Sequence, residues 1–294
     1  MIDLSSTLAD WHSRGEYHDF CGRRIFVRTA GSGPPLLLIH GYPTSSYDWH
    51  AVWEHFAAHF TVIAPDMLGL GFSDKPLNHH YSIADHADMH ESLIIALGRP
   101  TVHVMAHDLG VSVAQELLAR REQVTTLVPI ASLTLLNGGV CPEAYRPRPI
   151  QRLLASPLGS WIGPHVSKAA FDRAIVSLFS PDMPPSCELL NDFWSLVNYH
   201  DGRKVTHAVG RFWRERLGLR ERLLAPLLRS TVPIRFINGA SDPNSGRHMM
   251  DSYRTLSPDE DIVSLEGIGH WPQIEAPKDV AHSFLAFASE HTHR

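Results

Sequence analysis

The run Val104-Met105-Ala106-His107-Asp108-Leu109-Gly110 constrains this chain more than any other stretch. An apolar strand enters a helix through a tight turn, with small residues two places before and two places after Asp108. That is the spacing of a nucleophile elbow, a strand-to-helix turn so sharp that large neighbours would clash with the reactive residue. Serine is the usual nucleophile in such a turn and suits attack on an acyl carbonyl; here the position is aspartate. A carboxylate can instead displace a leaving group from saturated carbon, giving an alkyl ester that water then hydrolyses. The elbow therefore points to an alkyl electrophile, either an epoxide or a carbon–halogen bond. Taken alone, Asp108 also reads as an ordinary helix N-cap.

Three further segments bear on the choice. Leu36-Leu37-Leu38-Ile39 is a buried-strand run that ends in His40-Gly41-Tyr42-Pro43. The backbone N–H of Tyr42, with that of Leu109 after the elbow, is assigned to an oxyanion hole, where fixed donors meet developing charge. Ile234-Arg235-Phe236-Ile237 breaks at Asn238-Gly239 and leaves Asp242 just beyond a strand end. Ile262-Val263-Ser264-Leu265 runs into Glu266-Gly267-Ile268-Gly269 and presents His270. The chain order is nucleophile, acid, base: Asp108, Asp242, His270. Each of the latter two has a plain alternative, a turn residue for Asp242 and a surface histidine for His270.

Strand and helix patterns alternate around these segments. Strands are predicted at 17–20, 25–28, 36–40, 61–64, 101–106 and within 126–136, and helices at 46–59, 83–97 and 109–120. This alternation implies an α/β fold, a mostly parallel sheet wrapped by helices. Prolines crowd at 142, 147, 149, 157 and 164, the pattern turns helical, and strand alternation resumes at Val232. We therefore divide the chain into a core, 1–137 with 231–294, and an inserted helical cap, 138–230. The arginines of the cap's second half, Arg203, Arg211, Arg214, Arg216, Arg220, Arg222 and Arg229, read as a solvated helix face, with an anion site as the alternative.

Composition excludes several classes. A net charge of −5 gives no reason to expect nucleic acid or an anionic membrane as partner. No apolar run approaches the roughly 20 residues needed to span a bilayer. The N-terminal residues lack the basic and apolar regions of a secretory leader. The 3 cysteines are odd in number and far apart, so reduced thiols and a cytoplasmic location are expected. Of the 20 histidines, His55/His59 and His86/His90 have i,i+4 spacing, but neither pair has a third ligand nearby. They read as surface residues, and no metal or other cofactor is expected.

With these residues in place, the chain resembles the aspartate-nucleophile α/β-hydrolases, the epoxide hydrolases and haloalkane dehalogenases, and within them the mesoderm-specific transcript family. The matching stretches include His40 to Trp49, Gly69-Leu70-Gly71-Phe72-Ser73-Asp74-Lys75-Pro76, His80-Tyr81-Ser82-Ile83, His107-Asp108-Leu109-Gly110, Leu136-Asn137-Gly138-Gly139 and His270-Trp271-Pro272-Gln273-Ile274-Glu275. The resemblance implies an α/β-hydrolase fold and a covalent mechanism. Haloalkane dehalogenases hold the halide with a Trp after the nucleophile and an Asn after the His-Gly pair; here those positions are Leu109 and Tyr42. Epoxide hydrolases use cap tyrosines, or a Tyr/His pair, to support the departing oxygen. The cap offers Tyr145, Tyr199, His200 and His207, while Phe212 stands where a second tyrosine would be expected.

The resulting expectation is an epoxide hydrolase acting on a small apolar epoxide-type substrate, with Tyr199 as the substrate-binding donor. Packing or surface exposure is the plain alternative for Tyr199. A haloalkane or haloacid dehalogenase is the rival chemistry, and a non-catalytic binding protein of the same fold the rival class. A homodimer is compatible with the sequence.

Overall fold

The computed structural model describes residues 4–98, 101–123, 128–258 and 261–291. Its centre is built from short apolar runs buried on both faces, the pattern of strands covered by helices on either side. In β3 (Pro35–Ile39), Leu36 and Leu38 enter one apolar layer while Leu37 and Ile39 enter the other. The remaining strands are β1 (Gly15–Phe20), β2 (Arg23–Ala30), β4 (Thr61–Pro65), β5 (Val102–His107), β6 (Ile130–Leu136), β7 (Ile234–Gly239) and β8 (Asp261–Leu265). They form one sheet in the order β1-β2-β4-β3-β5-β6-β7-β8. The β1–β2 and β2–β4 pairs are antiparallel, and every pair from β4 to β8 is parallel. The mostly parallel α/β sheet is thus as predicted. The strand within 126–136 is described from Ile130; positions 126 and 127 lie outside the described residues.

Two local readings change. The single helix predicted over 46–59 is a 3₁₀ turn, Ser46–Trp49, followed by a short helix, Trp53–Ala57. Ser45 Oγ accepts from the Tyr47 N–H and Thr44 Oγ1 donates to Asp48 Oδ2 at 2.6 Å. Such local side-chain bonds compete with an α-helical ladder. His86 and His90 are buried, not superficial. On the helix Ile83–Ala96 they share the inward face with Ile83, Ala87, Leu93 and Ile94, because the 3.6-residue period carries both to the core side. His55 and His59 are exposed, as predicted.

The elbow helix, Leu109–Glu122, is buried from Leu109 to Ala119. It has no free face there because it is caught between the sheet and the helix Arg220–Arg229, whose Arg222 reaches Glu116 at 2.6 Å. Between β6 and β7 the chain is helical and irregular, from Pro142 to Arg229. Its arginines are solvated with one exception. Arg216 is fully buried, its guanidinium 4.4 Å from the Tyr145 ring. It lies so close to Gly139 that any Cβ there would collide with it. The charge face predicted from sequence therefore folds one cation inward, where the helix Phe212–Gly218 meets the loop after β6. Among the described residues no helix is long and apolar enough to cross a membrane. Cys21, Cys141 and Cys187 are all free.

Candidate active site

Loops leaving the C-terminal ends of β3, β5, β6, β7 and β8 converge on one place. Ligands bind at that end of parallel sheets because side chains from several strands can be aimed there at once. β5 lies between β3 and β6, so Asp108 enters the middle of the group. Its φ is 48°, a left-handed conformation that is strained for a residue with a side chain. The turn is held by its neighbours: the Asp108 N–H donates to the Asn137 carbonyl at 3.0 Å, and the Val111 N–H to the Asp108 carbonyl. Glycine is needed on both flanks. A Cβ on Gly41 would stand 2.8 Å from Asp108 Cβ, and one on Gly110 would strike the Ile39 carbonyl.

The Asp108 carboxylate is 2% exposed. Oδ2 accepts from the Tyr42 N–H at 3.0 Å, while Oδ1 has no hydrogen-bond partner. Leu109 opens the helix, and N–H groups at a helix start have no intrahelical acceptor. The carboxylate thus has one oxygen anchored and one bare.

His270 and Asp242 meet beside it, with Nδ1 2.8 Å from Oδ2. Asp242 also accepts from Ser245 Oγ at 2.6 Å, the Asn244 N–H at 2.8 Å and Asn137 Nδ2 at 3.0 Å. Burial alone would raise this carboxyl, but His270 and these donors outweigh it and hold it well below the usual range. Burial would likewise depress the imidazole. Asp242 first, then Asp108 and Glu275, overcome that and raise His270 to about 9. The resting site is therefore an imidazolium set among carboxylates.

Three supporting residues escaped the sequence reading. Asn137, at the end of β6, also brackets Gly239: Nδ2 donates to its carbonyl at 3.0 Å and Oδ1 accepts from its N–H at 2.7 Å. It joins the elbow to the acid loop. His107 Nε2 pairs with the His270 carbonyl at 2.8 Å, and the two imidazole rings are 4.8 Å apart. Glu275 accepts from the N–H groups of Gly269, Trp271 and Ser180, fixing the loop that carries His270. The signals available for Asn137 were its place just past a strand end and inside the matching stretch Leu136-Asn137-Gly138-Gly139, neither of which gave it a role.

Tyr199 does not join this group. Its ring packs 4.9 Å from Phe72 and 6.1 Å from His12, with Lys75 Nζ 5.5 Å away. The helix Cys187–Asn198 ends there, and His200 and Asp201 beyond it adopt positive φ. The predicted donor is thus misplaced. Another candidate named from sequence, Tyr145, lies close by the site. Its hydroxyl accepts from Gln151 Nε2 at 2.9 Å and Asn244 Nδ2 at 3.2 Å, which leaves its own proton uncommitted. Burial and then the Asp108 charge push this phenol upward, so it stays protonated.

A cavity of about 380 Å³ opens onto the group. Tyr42, His270, Asn244 and Gln151 line its inner end, and apolar side chains including Leu154 and Phe171 its walls.

Known proteins share this arrangement of chain. Residues 34–277 match the family described as alpha/beta hydrolase fold. The human mesoderm-specific transcript homolog protein is 37% identical over 298 residues, covering 97% of this chain and 88% of that protein. Among solved structures, haloalkane dehalogenase DbeA from Bradyrhizobium elkani superposes with a TM-score of 0.78 at 22% identity, covering 95% of this chain and 98% of that one. The epoxide hydrolase CorEH superposes with a TM-score of 0.73 at 23% identity, covering 94% and 98%. With its sheet order, its elbow and a match spanning the sheet from β3 to beyond β8, the chain belongs to the alpha/beta hydrolase fold family.

Proposed function

We propose that this protein opens epoxides to vicinal diols through an ester formed on Asp108. The observation that carries the reading is the state of that carboxylate: one oxygen anchored to the Tyr42 N–H, the other buried and unpartnered. Oδ1 attacks an epoxide carbon, and the C–O bond of the ring breaks. Tyr145 gives its proton to the departing oxygen and recovers one from the His270 imidazolium. The imidazole is then neutral when a base is required. Esterification also removes the Asp108 charge, one of the charges that raise His270.

In the second half, His270 takes a proton from water, whose oxygen attacks the ester carbonyl. The Tyr42 and Leu109 N–H groups hold the oxyanion. Collapse expels the diol oxygen, which takes the proton of the new carboxyl group, and the resting imidazolium and carboxylate return. Epoxide and water are consumed and one diol is released.

The choice of epoxide over halide rests on the leaving group. A halide needs N–H donors from side chains where this chain has Leu109 and Tyr42. An epoxide oxygen stays tethered and needs one acidic hydroxyl. A missing transition-state hydrogen bond costs roughly 3 kcal/mol, about a hundredfold in rate. The test is a matched pair, styrene oxide against a phenethyl halide, with diol and free halide both quantified. Diol formation at least about a hundredfold faster supports the reading; equal or faster halide release makes the protein a dehalogenase. Asp108→Asn must abolish either activity, and full turnover with the amide intact removes the nucleophile.

A further inference from the structure

The mouth of the cavity is framed by helices Pro149–Leu154 and Lys168–Val176, bridged by the short turn Gly159–Ile162. Their inner sides supply Ile150, Leu154, Phe171 and Ile175 to the cavity. Their outer sides are unusual for a protein surface. Trp161 is 73% exposed and Leu158 59%, and Leu153 and Val176 on the two flanking helices are exposed as well. Exposed apolar side chains clustered in this way mark an interaction surface.

The charge around them is equally one-sided. Residues 145–178 hold Arg146, Arg148, Arg152, Lys168 and Arg173 against Asp172 alone, in a chain whose net charge is −5. From the neighbouring segment Arg203 reaches the Val166 carbonyl and Arg214 the Ala155 carbonyl, adding two more cations. Several arginines elsewhere are matched, Arg120 with Glu91 and Glu116, Arg220 with Glu143 and Arg235 with Asp261. Among the described residues Arg146, Arg148, Arg152 and Arg173 have no carboxylate within ion-pair distance, and the Arg148 guanidinium donates to Ser177 Oγ.

An exposed tryptophan and leucines rimmed by unpaired arginines are the makings of an interfacial surface: apolar groups enter the acyl boundary while long cationic side chains reach the headgroups. We propose that this outer face of the cap docks on an anionic lipid surface and lets apolar substrate pass from the bilayer into the cavity. The small net charge conceals the site because acidic residues elsewhere cancel a local excess of cations. The docking does not depend on which bond the active site breaks.

Co-sedimentation of the full chain with vesicles tests it. Vesicles of phosphatidylcholine with phosphatidylglycerol are expected to bind it, and vesicles of phosphatidylcholine alone much less, with binding lost as salt is raised. Arg152→Glu is expected to weaken binding about fivefold or more, since each surface cation contributes about 1 kcal/mol. Trp161→Ala is expected to weaken it roughly tenfold. Both positions are exposed, so thermal unfolding should be unchanged; should Trp161→Ala unfold, Arg152→Glu decides. Equal binding to both vesicle types, or to neither, overturns the proposal. So does a dimer in sedimentation velocity that Arg152→Glu or Trp161→Ala dissociates, which would give the face to a second copy of the chain.

Discussion

Replacing Asn137 with alanine should both destabilise the protein and slow the hydrolytic half of the proposed reaction. The side chain makes three buried bonds: to the Gly239 carbonyl, from the Gly239 N–H, and to Asp242 Oδ2. The Gly239 carbonyl also receives the Asp242 N–H at 3.3 Å, so its loss matters least. The Gly239 N–H would be left without its side-chain acceptor, at about 1–3 kcal/mol. The bond to the Asp242 carboxylate is charge-assisted and adds about 1.5–3 kcal/mol, reduced because Ser245 and Asn244 still donate. The sum is about 3–5 kcal/mol. For a domain of this size that is a fall in Tm of about 6–15 °C. Asp242 is freed to move, and His270 loses part of the partner that orients it. Calorimetry gives the first quantity, and intact-protein mass spectrometry during turnover gives the second, as accumulation of alkylated Asp108. Asn137→Asp, nearly the same shape, would place a second carboxyl 3.0 Å from Asp242 and should be worse for activity than for packing. A Tm within about 3 °C of the parent for Asn137→Ala would mean that the elbow and acid loop hold together without this residue.

His270→Gln should leave Asp108 open to alkylation but remove the base, so one substrate mass remains on the protein after incubation; normal turnover would place the base elsewhere. Tyr145→Phe should slow alkylation by about a hundredfold while hydrolysis of the preformed ester is little changed. An unaltered alkylation rate would mean that another donor supports the epoxide oxygen. Acid should weaken the fold through His86 and His90. Burial pushes them from 6.5 down to about 3 and about 4, so they favour the folded state fully above pH 6.5 and progressively less as pH falls toward those values. At pH 5 each has cost about 2 kcal/mol. Urea midpoints for the parent and His86→Gln/His90→Gln should therefore converge as pH falls from 7 to 5, and parallel curves would contradict this.

The sequence by itself determined the strand-by-strand layout of the sheet and the turns at its C-terminal edge. Each is a local matter: four or five apolar residues fix a buried strand, and Gly41, Ala106 and Gly110 leave room for one sharp turn at Asp108. The order of the segments then suggested which side chains would meet, and Asp242 and His270 do lie 2.8 Å apart. What tertiary structure alone decided depends on packing between distant segments. Asn137 earns its position from Gly239 and Asp242, about a hundred residues further along the chain, and no spacing rule links them. Tyr199 and Tyr145 look equivalent in sequence. Packing puts the ring of one against Phe72, while contact with Gln151 and Asn244 holds the other near the site. The arginines of the helical segment read as one solvated face, yet Arg216 is buried over Tyr145 and those at the cavity mouth are unpaired. Charge and burial are properties of neighbourhoods in space, and a chain whose helices fold back over its sheet builds those neighbourhoods from residues that no local pattern brings together.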